Sequence, residues 1–577
     1  MNTPPHSGPA PAWCLWRNPI LQRFLRTRLR PRSLGAWLLV TVLIAGFIFF
    51  MSRSIGMREM ERDLIYLKSD PAQIAQNAKQ GYVVPAPSMV SVERFCLLPL
   101  LAFQGFILFI IGTGQVAGGM TADAEEGTMD YLRLSPMTPL AKVLGYLFGL
   151  PVREWILFVS TLPFTAVGIW RGQVPSENWL PVYAVVLTTG VLYHLTGLTA
   201  GTVLRNRRWA FLVSMGGVFL LYTVIPQLAK LGLVYFEYLT IMPVLKENMS
   251  GFTPVSAGAL LKVMQSLQAD VRFFGLGFPE AVFTILSQMV LCLTFVVMMW
   301  RRWQKSESHL LGKAWATGLS VWIQIVLLGC ALPLIEPGLL FMSRRFGSFM
   351  SNRVRNFKMP TPRLEEAITM ISLYGTVTLI SVIVLAILIA PGREAQNLGT
   401  RRAARFSLQR IPFFSDEATS LVFVTIMSIA GGIGWNIFAQ RVIGSHWFPG
   451  QQLPVWTPVA FGLVILTASL CSALIYELRG VKGLFLAAIF IGIVPILTGS
   501  VMGAANAQLS TLSIWVTTAS PLAAPVNAVT TALPDGIGNS SSFSLAGPRA
   551  FIFWQGLMVI ATCWLLLVHR AERKLRA

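Results

Sequence analysis

LGAWLLVTVLIAGFIFFM, residues 34–51, holds no charged side chain and no proline. Wound as a helix, its eighteen residues rise about 27 Å, close to the thickness of a bilayer's hydrocarbon core. Runs of this kind recur almost to the end of the chain. They fall at 34–51, 96–117, 147–169, 180–204, 209–226 and 281–300, then at 314–334, 368–389, 421–438, 459–476, 484–502 and 551–567. The reading is an all-α integral membrane protein with twelve transmembrane helices and both termini cytoplasmic. Composition agrees: of 577 residues, 54% are hydrophobic and only 12% charged, about half the charged fraction of soluble proteins. A cytosolic enzyme is excluded.

The excess of 46 basic over 25 acidic residues follows topology. Basic residues gather between apolar runs, at 17–32, 205–208, 301–305, 401–405, 479–482 and 570–576. If each run crosses once, these stretches share one side, as the positive-inside rule requires; no nucleic-acid partner is implied. One loop disobeys, because Arg344, Arg345, Arg353, Arg355, Lys358 and Arg363 fall outside. Removing the 314–334 crossing would put the 401 and 570 stretches outside, so twelve crossings are kept. The six cysteines are scattered, with no CxxC pair and no Cys/His cluster, which argues against a metal site and a disulfide framework. Residues 1–16, rich in proline, lack the apolar core of a signal peptide and are expected to form a disordered cytoplasmic tail.

Landmarks repeat between the halves. Gly127–Thr128 matches Gly399–Thr400, the turn at Arg205 matches Arg479, Pro254 matches Pro525, and Ala281 matches Phe551, at offsets of 272, 274, 271 and 270 residues. A nearly constant offset is the signature of duplication. The chain therefore reads as two fused six-span halves, 17–305 and a divergent 306–577.

Two stretches facing the cytoplasm carry the functional information. The first, 18–31, reads as a short helix: Asn18 suits an N-cap, Pro19 the first turn, and Pro31 a stop. Ile20, Leu21, Phe24, Leu25 and Leu29 share a face, with Arg23, Arg26 and Arg30 away from it. An amphipathic basic helix beside a span is expected to lie in the headgroup layer, in contact with membrane lipid. The second, 121–145, concentrates Asp123, Glu125, Glu126 and Asp130 in a chain with few acids. Gly127 can bend it, and Ser135–Pro136 and Thr138–Pro139 are turn or helix-start signals. The expected product is a rigid polar knob suited to a cytoplasmic partner.

This loop resembles the cytoplasmic signature of ABC-2 type transporter permeases: paired acids, Gly-Thr, a Leu-rich step, Ser/Thr-Pro, then Gly-Lys. The helix before the first span is similar to that family's interfacial elbow helix. The resemblance is strongest over 17–305. It implies the transmembrane subunit of an ATP-driven exporter in a bacterial plasma membrane, with no ATPase of its own. The chain would bind no cofactor; ATP and Mg²⁺ would sit on a separate cytoplasmic ATPase, and a second copy of this chain is a further expected partner. Carried over, Glu125, Glu126, Gly127, Thr128, Asp130, Arg133, Ser135, Pro136, Thr138, Pro139 and Lys142 belong to the ATPase-coupling loop. Asn18, Pro19, Arg23, Arg26 and Arg28 belong to the elbow helix. Tyr146 departs from the family's Lys, Asp130 from its commoner Glu, and the second half keeps Gly399–Thr400 but exchanges acid for base.

Absences bear on the alternatives. Gly312-Lys313-Ala314 lacks the hydroxyl and glycine lead-in of a phosphate-binding loop, so no catalytic residue is expected. An ion-coupled secondary carrier needs an ionisable group in the membrane; His194 in the fourth span and Arg153–Glu154 near the end of the third are the candidates. His194 reads as a neutral packing histidine. Arg153 and Glu154, as neighbours, are expected to point to different sides and anchor the helix end. Gln104 and Gln115 are polar groups that a pathway could use. A membrane-embedded enzyme would want paired carboxylates or a metal cluster, and a scaffold that recruits an ATPase without transport would share the same loop. No motif names the substrate.

Overall fold

The computed structural model describes residues 15–69, 88–204, 206–253, 271–305, 308–343, 360–407, 411–533 and 541–576. Residues 1–14 of the tail expected over 1–16, Arg205, Pro254 and most of the basic outer loop lie outside these residues, whereas Leu15 and Trp16 are ordered in a 3-10 turn, Leu15–Arg17. The chain divides into two compact units. One comprises 1–226, 236–271 and 277–306; the other comprises 227–235, 272–276 and 307–577.

The first unit contains α1 (Pro19–Arg28), α2 (Pro31–Ser69), α3 (Met89–Glu125), α4 (Thr128–Arg133) and α5 (Pro139–Gly149). After these come α6 (Val152–Arg171), α7 (Ser176–Val203), α8 (Arg207–Lys230), whose last turn belongs to the second unit, and α9 (Glu280–Gln304). Helix α7 packs against the end of α3 on one side and α9 on the other, while α2 lies along α6. Ahead of α9, Val271–Phe273 and Leu276–Phe278 pair as a small two-stranded sheet.

The second unit continues with α10 (Lys313–Ala331), α11 (Leu364–Ile389), α12 (Arg393–Arg405), α13 (Leu421–Ile443) and α14 (Thr457–Ala505). Short helices α15 (Ser510–Thr518) and α16 (Ala524–Ala532) lead to α17 (Ser541–Arg576). Its core is built around Trp435. That indole stacks on Phe461 at 4.0 Å, covers Gly375 of α11 and donates its N–H to the Ile371 carbonyl at 2.9 Å. Helices α13 and α14 approach at Gly432 and Gly462, where a Cβ on Gly432 would lie 2.8 Å from the facing backbone.

Among the described residues, eleven helices are long and apolar enough to cross a membrane, making this an all-α multi-pass membrane protein. The sequence predicts twelve. The difference lies in α14, whose 49 residues include both the 459–476 and 484–502 runs. A straight helix of that length would extend about 74 Å, more than twice the hydrocarbon thickness. Gly480, at φ 70° and ψ −163°, breaks it, leaving arms at 457–479 and 481–505 that each match one run.

The third span also starts later than expected. Residues 147–149 belong to α5, and α6 opens at Val152. Pro151, which lacks an N–H and sits outside helical geometry at ψ 18°, separates them.

Glutamines hold the spans together. Gln104 of α3, fully buried, donates to Thr161 and Thr165 of α6 at 3.0 and 2.9 Å. Its carbonyl accepts from Tyr183 of α7 at 2.8 Å, so it serves as interhelical glue and not as a pathway-facing group. Gln288 joins α9 to Thr188 and Thr189 of α7, Gln324 joins α10 to Tyr374 and Thr378 of α11, and Gln555 joins α17 to Thr467 of α14. In hydrocarbon such groups must find partners within the protein.

Candidate functional site

The acidic loop folds into a helix-turn-helix-turn-helix. Helix α3 runs to Glu125, and Gly127 then adopts φ +70°, a left-handed conformation glycine takes without penalty. Its N–H bonds back to Ala124, and α4 starts at once. Ser135 closes the end of α4 by donating to the Leu132 carbonyl at 2.7 Å. Thr138 then caps α5 by accepting from the Ala141 N–H at 3.3 Å, with Pro139 in the first turn.

The underside of this knob is pinned from three directions. Lys142, 3% exposed, donates to the carbonyls of Arg133 and Ser135 at 3.2 and 3.3 Å, with its ammonium 5.8 Å from the Trp303 ring of α9. Burial and the nearby Arg133 charge lower its pKa. Lys142 is therefore a buried clamp, not a contact surface. Arg133 pairs with Asp130 and reaches the Arg302 carbonyl of α9 at 3.5 Å.

Helix α1 supplies the second direction. The Asn18 side chain accepts from Ile20 and Leu21 as an N-cap and also donates to the Ala141 carbonyl of α5 at 2.6 Å. Ile20, Leu21 and Phe24 are buried; Gly145 and Gly149 of α5 let Ile20 and Phe24 close in. The apolar face expected to rest in lipid is thus covered by protein, because α5 offers small residues along the facing side. Arg23 pairs with Asp123 at 2.5 Å, and Arg28 donates to Gln115 of α3 at 3.1 Å. Burial lowers the Arg28 pKa, with nearby Glu154 opposing that shift and Arg153 and Arg207 adding to it. Pro19 and Arg26 are exposed.

The third direction is Tyr146 of α5, whose hydroxyl donates to Asp123 at 2.6 Å. Its ring meets Phe24 edge-on at 5.3 Å and Trp303 at 5.4 Å. Burial and the adjacent Asp123 charge raise its pKa. Tyr146 is thus the residue that lets one carboxylate tie α1, α3 and α5 together.

What remains on the surface is the rim: Glu125, Glu126, Gly127, Asp130, Pro136 and Thr138, with Thr128, Ser135 and Pro139 half-buried. Tyr131 and Leu134 project from it at 76% and 86% exposure. Sequence reasoning missed these two, although a bulky apolar residue on either side of Arg133 in an acidic turn was a usable signal.

The candidate ionisable groups of the spans are held in place. The His194 ring nitrogen Nε2 donates to the Leu108 carbonyl at 3.0 Å, inside a π-turn at Phe106–Ile111 of α3. Its ring abuts Gly112 and Trp155. Arg153 and Glu154 do not point apart: the guanidinium folds back to the carboxylate at 2.6 Å while lying 5.2 Å from the Trp37 ring. At the first turn of α6 a long arginine can curl toward its neighbour, which helix-face arithmetic ignores.

The second unit's matching segment differs. Gly399 lies within continuous helix α12, where the first unit has a left-handed turn. Gly399 sits against Glu417 and Ile411, and Arg402 pairs with Glu417. Among the described residues no group of three or more His, Cys, Asp or Glu side chains could hold a metal ion.

Compared with protein-family models, with curated proteins and with solved structures, the chain matches none.

Proposed function

We propose that this chain is the membrane-embedded permease subunit of an ATP-driven exporter, and that the α3–α5 knob is where a separate cytoplasmic ATPase docks. One observation carries the reading. Glu125, Glu126, Asp130, Tyr131 and Leu134 form an exposed acidic and apolar rim on a base clamped by Lys142, Asn18 and Asp123. A connector between spans needs no such clamping, whereas a surface that transmits force from a partner needs a rigid base and an exposed face. In this reading the two units are the two six-span halves and α1 is the elbow helix. Both termini are cytoplasmic, the membrane is a bacterial inner membrane, and ATP with Mg²⁺ belongs to the partner.

The ion-coupled alternative keeps His194 and Glu154 as its candidate groups. Each bonds one neighbour, the Leu108 carbonyl and Arg153 respectively, while His194 Nδ1 and one Glu154 carboxylate oxygen are buried without a hydrogen-bond partner. The reading is tested by mild-detergent affinity purification from the native host with the stoichiometry of any ATPase recovered. Two ATPase copies per chain are expected if both units dock one, and one copy if only the first does. Glu125→Lys with Glu126→Lys should abolish recovery. An intact ATPase complex in that double variant removes the knob from the docking role, and no ATPase with wild type removes the permease reading.

A further inference from the structure

The second unit presents a surface of opposite character to the knob. It is built from α12 and the 411–420 segment that leads into α13. Three contacts fix that segment. Lys313 Nζ donates to the carbonyls of Phe413, Ser415, Ala418 and Thr419 at 3.4, 2.8, 2.7 and 3.3 Å. The His309 N–H donates to the Asp416 carboxylate at 3.3 Å, and Glu417 takes the Arg402 guanidinium. Both acids of the segment are therefore spent inside the unit.

What faces outward is basic and aromatic. Arg401 and Arg405 are exposed and make no ion pair among the described residues. Phe406 and Phe414 are 72% and 68% exposed, and Phe413 is about half exposed. Phe413 and Phe414 are not loose: both pack against Phe423 in the first turn of α13, at 4.8 and 5.7 Å. Glu394, the acid on the exposed side of α12, lies at the opposite end of the helix from Arg405.

Membrane spans flank this surface closely. Three residues separate the end of α11 at Ile389 from the start of α12 at Arg393, and α13 begins at Leu421. Phe413 and Phe414 pack on Phe423 in the first turn of a span, and phenyl groups beside a span end enter lipid where arginines reach headgroup phosphates. We propose that this face binds the headgroup of an anionic phospholipid. Arg401 and Arg405 take the phosphate, and Phe406, Phe413 and Phe414 seat the glycerol and upper acyl region. An acidic protein would satisfy the arginines but would leave Phe413 and Phe414 to be covered beside the span end. The inference does not rest on the ATPase reading.

The test places the full chain in phosphatidylcholine nanodiscs doped with a photoactivatable phosphatidylglycerol or a photoactivatable phosphatidylcholine. Labelled peptides are then mapped by mass spectrometry. Phosphatidylglycerol should label the 398–414 region preferentially, and added salt should erode the preference. Arg401→Gln and Arg405→Gln should each lower the preference about fivefold without shifting the melting temperature. Phe414→Ser should reduce labelling by both lipids, because it removes seating and not charge. Equal labelling by the two lipids at this face overturns the proposal. So does a photo-crosslinking residue at position 414 that, in native membranes, captures protein and not lipid.

Discussion

Arg23 and Asp123 stand a hundred positions apart and meet at 2.5 Å, and the same carboxylate oxygen accepts from Tyr146 at 2.6 Å. One acid near the end of α3 thereby holds both the helix before the first span and the last helix of the knob. Glu125, two residues on, is exposed. The four acids of the loop thus divide into a structural one and three that face outward.

Because Asp123 is buried and shared, Asp123→Asn should lower stability by about 1–3 kcal/mol. Arg23→Gln should cost less, as its guanidinium is about one-third exposed. A double-mutant cycle between the two, read from thermal unfolding in detergent, should give a coupling of about 1 kcal/mol. Full additivity would dissolve the proposed tie.

Gly127 has no heavy atom within 4 Å of an added Cβ, so its substitution tests conformation alone. Gly127→Ala should cost about 1 kcal/mol, and Gly127→Asn less, since asparagine tolerates the left-handed region better. Limited proteolysis should cut the alanine variant faster after Arg133 than the wild type.

Tyr131→Ala with Leu134→Ala should leave the melting temperature within about 1 °C, since neither side chain is packed. If the rim is a docking face, the same variant should lose its cytoplasmic partner in affinity purification. Retention of the partner at wild-type stoichiometry would place docking elsewhere.

Gln104→Leu removes three hydrogen bonds at once. At roughly 0.6 kcal/mol per interhelical bond, up to about 1.7, the loss should be about 1–3 kcal/mol. Denaturant unfolding in mixed micelles measures it, and an unchanged midpoint would mean that the two threonines and Tyr183 find other partners.

Tyr146 supplies a pH signature. An unfolded tyrosine ionises near pH 10, while the folded phenol is held above that by burial and Asp123. Above pH 10 the folded state therefore keeps a proton that the unfolded state has lost. The contribution is complete below pH 10 and falls as pH rises through the folded value. Tyr146→Phe should flatten that alkaline decline in stability measured against pH.

Local rules were enough wherever neighbours in sequence decide the conformation. The Asn18 cap, the Pro19 first turn, the bend at Gly127 and the Thr138–Pro139 helix start all needed only residues within one turn of each other. The apolar runs were equally legible, because a span is a matter of length and hydropathy. Burial was not. Lys142 reads on paper as another polar member of a surface loop, and Gln104 as a group facing a pathway. Their places depend on Trp303, Thr161 and Tyr183, brought close only by packing. Arg153 and Glu154 show the same limit at short range, since helix geometry places Cβ atoms but not the end of a long side chain.

That this chain lives in a membrane, where its helices run and where its acids concentrate all follow from residue order alone, because hydrophobic length and turn chemistry act locally. Which charges are spent inside and which face outward is settled by packing. Asp123 and Glu125 are alike in composition and two residues apart. Their difference arises from Arg23 and Tyr146, which reach the first and not the second, and burial of a charge is settled by whatever partner the fold brings within reach.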